Sequence, residues 1–261
     1  MSKLKKLIFI PMYNCENQIS RVLEKVNSDV CRNFDKILIV DNRSTDNSMA
    51  VAKEALKKIE DLSATIVKNL ENYNLGGSHK VAFNYAVDND YNFLVVVHGD
   101  DQGDIRDILP VINKKSFLGL DCVLGSRFMQ QSKLEGYSNF RIYGNIGINL
   151  IGSVISKKII KDMGAGLNLY NVEMLKDKFY LNFPNGLTFN YYLLFYTVAK
   201  KLSFKFFPLS WREDDQVSNL NLFNHVKEWL GVIFIFLFKR KEFMRGTEEK
   251  REYNYEIYYD S

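Results

Sequence analysis

The first half of the chain alternates short apolar blocks with longer amphipathic ones. Apolar runs at 7–10 (LIFI), 37–40 (ILIV) and 93–97 (FLVVV) each give way to a polar cluster, and helical spacing fills the intervals. Runs that are apolar at every position, rather than at alternate ones, belong to strands buried on both faces. The blocks therefore predict an α/β fold with a mostly parallel sheet and helices on both sides. Residues 121–124 (DCVL) read as a fourth strand. Helices are expected over 17–27 and 47–60, the second with Ser44 or Asp46 as N-cap. In open sheets of this kind ligands bind beyond the carboxyl ends of the strands, which singles out 11–16 (PMYNCE), 41–46 (DNRSTD) and 98–102 (HGDDQ).

The second half is less regular. Residues 144–155 read as the start of a helix rich in small residues, 162–166 (DMGAG) as a loop, and 188–200 as a strongly apolar helix. A helical pattern over 221–243 holds a ten-residue apolar run, 229–238, closed by Lys239, Arg240 and Lys241. As a helix that run extends about 15 Å, half of a hydrocarbon core of about 30 Å. It cannot cross a bilayer; it can lie in a membrane interface or serve as a core or subunit-contact helix. The charged, tyrosine-rich stretch 245–261 is expected to be a poorly ordered tail. The expected organisation is thus a main domain over 1–220, an apolar helix over 221–244 and a tail.

With 261 residues, 46% of them hydrophobic and 25% charged, the chain can bury a sizeable core. A net charge of +4, with most basic residues scattered, argues against nucleic acid as a ligand. Cys15, Cys31 and Cys122 contain no CxxC pair and suggest neither a disulfide framework nor a structural zinc site, which points to a reducing cytoplasm. The apolar stretch before Pro11 is too short for a signal-peptide core.

No GxGxxG follows the first strand and no GxxxxGK[ST] occurs, so a bound nucleotide needs another partner for its phosphates. Asp100 and Asp101 follow a buried run, where a carboxylate is costly unless it meets water, a cation or hydrogen-bond donors. They either hold a divalent metal or cap the next helix. Asp41 either accepts hydrogen bonds from a nucleoside or closes a turn. Residues 74–80 (NLGGSHK) read as a glycine loop whose Lys80 faces a phosphate, or as an ordinary loop before a helix. His98 is either a metal ligand or a structural histidine.

Taken in order, 10–16 (IPMYNCE), 40–48 (VDNRSTDNS), 74–77 (NLGG) and 98–102 (HGDDQ) resemble the family 2 glycosyltransferases. The resemblance continues through 125–127 (GSR), Gly144 and Asn145, 162–170 (DMGAGLNLY), Ser218 and Asn219, in the order seen in the polyprenyl-phosphate, dolichol-phosphate mannosyltransferase-like group. It implies the GT-A nucleotide-diphospho-sugar transferase fold with a C-terminal helical appendage. It also implies a UDP- or GDP-sugar donor, with Tyr13, Glu16 and Asp41 on the nucleoside and Mg2+ or Mn2+ on the diphosphate. The implied donor site takes in Pro11, Tyr13, Asn14, Glu16, Asp41, Asn74, Gly77, Lys80 and Asp100. Asp100 matches the second aspartate of the family's DxD motif, and the implied metal site adds His98 and Asp101. His98 stands where the family has the first aspartate, which puts metal choice in question.

Where relatives that glycosylate hydroxyls carry a Glu-Asp pair, this chain reads LTFNYY at 187–192, without a carboxylate. The nearest acidic cluster is Glu213, Asp214 and Asp215, of which Glu213 and Asp214 are the candidate bases. A hydroxyl acceptor requires such a base. A phosphate monoester, largely dianionic at neutral pH, does not. The expected acceptor is therefore a polyprenyl phosphate, with Arg127, Arg212 and Ser218 as its candidate partners, and a saccharide hydroxyl as the alternative. The expected place of work is the cytoplasmic face of a membrane, in peripheral contact. A sugar nucleotidyltransferase and a non-catalytic nucleotide-sugar binder are the competing classes, although 11–16 lacks the glycines and lysine typical of the former.

Overall fold

The structure, a computed structural model, describes residues 3–214, 222–246 and 251–261. Its strands in chain order are β1 (Lys6–Met12), β2 (Lys36–Asp41), β3 (Ser63–Asn69), β4 (Phe93–Val96), β5 (Cys122–Ser126), β6 (Lys133–Glu135), β7 (Asn168–Asn171), β8 (Phe204–Pro208), β9 (Ser210–Arg212) and β10 (Tyr255–Asp260). Among the described residues, eight of them form one sheet in the order β10-β3-β2-β1-β4-β7-β5-β8. The block β3-β2-β1-β4 is parallel, β7 runs antiparallel between β4 and β5, and β8 pairs parallel with β5. Strands β6 and β9 make a small parallel pair at one end.

The helices are α1 (Ile19–Glu24), α2 (Ser28–Cys31), α3 (Ser48–Leu56), α4 (Asn74–Asp88), α5 (Leu109–Asn113), α6 (Asn139–Ser156), α7 (Phe189–Ala199), α8 (Leu222–Phe238) and α9 (Arg240–Arg245). Strand periodicity sorts them onto two faces. Ile8, Ile10, Ile37 and Ile39 share one core with Val22 of α1, Leu56 of α3 and Ile112 of α5. Leu7, Phe9, Leu38 and Val40 share the other with Phe83 of α4, Phe195 of α7 and Trp229 of α8. Burial on both sides is why these strands read as unbroken apolar runs.

The structure departs from the sequence expectations in several places. The helix expected over 17–27 is shorter, α1 ending at Glu24, and a separate helix α2 begins where the Asn27 side chain accepts hydrogen bonds from the Asp29 and Val30 amides. Asn47, rather than Ser44 or Asp46, precedes α3. The helical pattern over 221–243 breaks at Lys239 into α8 and α9. On α8, Trp229, Val232, Ile233 and Phe236 are buried, and Phe243 of α9 stacks on Tyr192 with ring centroids 5.0 Å apart.

The end of the chain corrects the expected disordered tail. Residues 255–260 add antiparallel to the edge of β3, with a register shift between Ile257 and Tyr259. Ser261 and Ala64 exchange main-chain hydrogen bonds, and Lys36 pairs with Asp260 at 2.9 Å. This covers an edge that would otherwise present unpaired backbone groups.

Candidate active site

The three parallel strands β2, β1 and β4 end side by side. Met12 is in register with Asp41, the Asn42 amide donates to the Met12 carbonyl (2.9 Å), and the Gly99 amide donates to the Pro11 carbonyl (3.1 Å). Gly99 is needed there, since a Cβ would meet the Pro11 carbonyl at 3.0 Å and the Cys15 sulfur at 3.3 Å. The loops after β1 and β2 are tied together by side chains. The Asn14 amide donates to Ser44 Oγ (3.0 Å), the Thr45 amide to Asn14 Oδ1 (2.8 Å), the Cys15 amide to Ser48 Oγ (2.8 Å) and the Asn47 amide to Glu16 Oε2 (2.9 Å). Asn14 takes a left-handed backbone (φ 47), which asparagine tolerates better than most residues. Tyr13, half exposed, projects from this cradle.

Asp41 is fully buried at the end of β2, and its Oδ2 accepts from the Arg43 and Ser44 amides, both at 3.1 Å. Burial lifts its carboxyl above the usual range, against the hydrogen bonds from Ser44 and Arg43. The Asp41 carboxylate thus closes the turn after β2 through the Arg43 and Ser44 amides. Strands β2 and β4 are two places apart, so Asp41 lies roughly 10 Å to the side of the β4 end.

After β4, Asp100 is partly exposed, with Oδ1 accepting from the Gln102 amide (3.1 Å) and Oδ2 4.0 Å from His98 Nδ1. His98 Nε2 is buried with no hydrogen-bond partner. Burial depresses the His98 pKa against the pull of Asp100, which leaves the ring neutral and able to offer a lone pair. Gly166 permits this placement, because a Cβ there would stand 3.1 Å from the imidazole ring. The Asp100 carboxylate and the neutral His98 imidazole are oxygen and nitrogen donors of the kind a divalent ion takes, with water and diphosphate oxygens completing its shell. No cluster of three or more His, Cys, Asp or Glu ligands occurs among the described residues, so the protein's share of such a shell is small.

Asp101 belongs to a different cluster, and this corrects its reading as a metal carboxylate. Its backbone is left-handed (φ 63) and its fully buried carboxylate meets Arg21 Nε at 2.7 Å, Lys25 Nζ at 2.6 Å and Arg212 at 2.9 Å. Lys80 is corrected as well. Residues 74–88 are helix α4, with Asn74 exposed at its first turn, and the fully buried Lys80 ammonium donates to the Phe183 carbonyl, Asn185 Oδ1 (2.8 Å) and Tyr253 OH (2.8 Å) rather than facing a phosphate. Gly76 and Gly77 serve close packing: a Cβ on Gly76 would lie 2.6 Å from the Pro184 carbonyl, and one on Gly77 would collide with Tyr73.

The opposite wall is built from β5, β6, β9 and the segment 162–166. Arg127 is buried and grips Asp162 through two 2.8 Å bonds, while its main-chain amide donates to the same carboxylate (2.9 Å). Burial pulls its pKa down, but the charge of Asp162 and its hydrogen bond to the guanidinium, with smaller help from Tyr137 and Tyr191, together leave it raised. Its guanidinium lies 5.0 Å from the Trp211 ring centroid and donates to Tyr137 OH (3.3 Å). Arg127, expected as a partner for the acceptor phosphate, thus has its guanidinium engaged by Asp162 and orders the 162–166 loop. The Arg212 amide donates to the Gln102 carbonyl (3.0 Å), bringing β9 against the Asp100 loop. There Glu213 is held by Arg141 and, at 3.4 Å, by Gln102 Nε2, while Asp214 pairs with Arg212 at 3.2 Å. Asp215 and Ser218 lie outside the described residues. Arg141 and Tyr137 also form this wall although sequence reasoning had not singled them out, and Arg141 meets Glu213 only through the fold, 72 residues away.

A mostly parallel sheet whose strand-end loops gather polar residues beside the partly exposed Asp100 is the architecture of the GT-A nucleotide-sugar transferases. The comparisons with known proteins agree. The description "Glycosyl transferase family 2" matches residues 7–179, and the chain belongs to that family. It is 25% identical over 183 residues to the UDP-N-acetylglucosamine–dolichyl-phosphate N-acetylglucosaminyltransferase of Methanococcus voltae, a match covering 66% of this chain and 72% of that protein. In fold it is similar to the crystal structure of glucosyl-3-phosphoglycerate synthase from Mycobacterium tuberculosis in complex with phosphoglyceric acid (TM-score 0.63, 14% identity, 92% of this chain and 80% of that one). The same enzyme in complex with Mn2+, UDP and glucosyl-3-phosphoglycerate superposes with a TM-score of 0.62 at 13% identity, covering 99% and 90%. A structure titled only as a mycobacterial protein gives a TM-score of 0.66 at 14% identity, covering 90% and 74%. The chain is a glycosyltransferase.

Proposed function

We propose that the enzyme transfers a sugar from a nucleotide-sugar to a polyprenyl phosphate with inversion at the anomeric carbon. The observation that carries the acceptor half is the state of the carboxylates beside the site: Glu213 is engaged by Arg141 and Asp214 by Arg212. Neither stands ready to take a proton from a hydroxyl, and a phosphate dianion needs no base. Support also comes from the Methanococcus relative, whose name gives dolichyl phosphate as acceptor. In the reaction the acceptor phosphate oxygen bonds to the anomeric carbon as the bond to the donor's β-phosphate oxygen breaks, and the electron pair leaves with the nucleoside diphosphate.

On this reading Tyr13, Asn14, Glu16 and Asp41 hold the nucleoside, with Pro11 setting the strand end from which they project. Asp100 and His98 hold a divalent ion, Mn2+ or Mg2+, which when bound acts as a Lewis acid on the leaving diphosphate. UDP is the favoured nucleotide because solved relatives of this fold carry it; a GDP-sugar is the second choice. Arg212 and Ser218 remain candidates for the acceptor phosphate, and the outward side of α8, with Leu230, Phe234, Leu237 and Phe238 exposed before Lys239 and Arg240, suits peripheral contact with the cytoplasmic face of a membrane.

The test offers nucleotide-sugars with Mn2+ to the protein together with either a polyprenyl phosphate or a soluble saccharide. Sugar should appear on the lipid phosphate and survive Glu213→Gln and Asp214→Asn. Transfer confined to a saccharide hydroxyl, and abolished by either substitution in a folded protein, would make the acidic cluster the base and the lipid-phosphate reading wrong.

A further inference from the structure

Helix α6 is amphipathic in the reverse sense. Its polar stripe faces the protein and is hydrogen-bonded there: Arg141 to Glu213, Asn145 Nδ2 to Tyr137 OH (2.9 Å), Asn149 Nδ2 to the Lys161 carbonyl (3.0 Å) and Ser153 Oγ to the Ile160 carbonyl (3.2 Å). The Met163 amide completes this side by donating to Asn149 Oδ1 (3.0 Å). The apolar stripe faces outward, with Phe140 75%, Tyr143 73%, Leu150 64% and Val154 70% exposed, and Ile159 just beyond the helix 77% exposed. These positions recur at helical spacing along one side, and the glycines on that side, Gly144 and Gly147, also look into open space. A helix that hydrogen-bonds inward and shows aromatic and aliphatic side chains outward is built for an apolar medium.

The charge on this surface says which medium. From residue 139 to 161 there is no aspartate or glutamate, while Arg141, Lys157, Lys158 and Lys161 are all present, the three lysines exposed. Two copies of the chain meeting through this face by a two-fold axis would bring like charges together. An anionic bilayer instead offers hydrocarbon to the stripe and negative headgroups to the lysines. The surface is also coupled to the site. A groove of about 580 Å3 lies between α6 and residues 128–131, lined by Phe128, Ile146, Leu150, Ile160 and Lys161, and the first turn of α6 is tied to Glu213.

We infer that the outward face of α6, with Lys157, Lys158 and Lys161, seats the enzyme in the headgroup–acyl boundary of an anionic bilayer and so presents the acceptor wall to lipid. The inference rests on the lipid-phosphate reading for its purpose, but not for its test. Binding is measured without any donor, by flotation of the full chain with phosphatidylcholine vesicles with and without phosphatidylglycerol. The intact protein should float with the anionic vesicles, and Leu150→Gln/Val154→Gln/Ile159→Gln should lower the partition coefficient roughly tenfold or more. Lys157→Gln/Lys158→Gln/Lys161→Gln should remove the preference for phosphatidylglycerol. All these positions are exposed, so an unchanged thermal midpoint and unchanged UDP binding confirm that the variants fold. Absence of flotation by the intact protein, or equal flotation by the first variant, overturns the assignment. So does a dimer, seen by sedimentation, that the same substitutions dissociate while vesicle binding stays as it was. Transfer to a short-chain, water-soluble prenyl phosphate reports separately on the function: its persistence alongside failed flotation sinks only the membrane face, and its absence alongside normal flotation sinks only the lipid-phosphate reading.

Discussion

The two walls of the site are made in different ways. The donor wall consists of loops that follow β1, β2 and β4 directly, so each carries its residues on a short contiguous segment, and the segments are stitched by main-chain and Asn, Ser and Thr contacts. The acceptor wall is assembled from residues far apart in the chain, Arg127 with Asp162, Arg141 with Glu213, and Arg212 with Asp101 and Asp214, held mainly by charge. In the first wall Tyr13 is half exposed and Asp100 partly exposed. In the second, most charges already have partners, so its residues position the wall before they recognise anything.

That difference predicts where substitutions act. The largest effect should come from Arg127→Ala, which leaves Asp162 buried and unpaired, at a cost of about 3–5 kcal/mol in stability. Urea denaturation would show it, and a loss below about 1 kcal/mol would mean that the pair is dispensable. Next in size, Asp100→Asn should leave stability nearly intact yet lower transfer by about a hundredfold or more, with loss of metal-dependent UDP binding in calorimetry. If metal still strengthens UDP binding as in the intact protein, the ion is held elsewhere.

His98→Asp should shift the ratio of Mg2+ to Mn2+ affinity, measured with UDP present, on the order of tenfold towards Mg2+, because an oxygen donor replaces an imidazole nitrogen. A purely structural histidine would leave that ratio where it was. The smallest effect concerns Asp41. Its folded carboxyl titrates above the unfolded one, so its contribution to stability is present below the ordinary carboxylate pKa and is lost as pH rises through the folded value. Asp41→Asn, which still accepts the turn amides, should match or exceed the parent's stability at pH 7, with the difference shrinking as pH falls to the ordinary carboxylate value. It should also weaken UMP and UDP by similar factors; a loss confined to UDP would place Asp41 at the phosphates.

The loops of the proposed donor wall were legible in the sequence because unbroken apolar runs mark buried parallel strands, and polar clusters follow them. The acceptor wall was not, since nothing local to Arg127 announces Asp162. Adjacent residues were misjudged for the same reason: Asp101 shares a motif with Asp100, but a left-handed backbone sends it to Arg21, Lys25 and Arg212. At 74–80 the two glycines suggested a loop, whereas they sit inside α4, where the chain segments at Pro184 and Tyr73 leave no space for a side chain. The last strand was hidden by its tyrosines and charges, since an edge strand needs only one partner and shows no continuous apolar run. Helix α6 was expected only over 144–155; it begins at Asn139, where the Ser138 side chain accepts from the Arg141 amide, and its apolar positions look outward while Asn145, Asn149 and Ser153 bond inward.

The most direct test of the central claim is the chemical identity of the product, read by NMR after incubation of the protein, Mn2+, a UDP-sugar and a polyprenyl phosphate. The account predicts a sugar joined through its anomeric carbon to the lipid phosphate, with the configuration opposite to that in the donor. A retained configuration, or sugar found only on a saccharide hydroxyl, would contradict it.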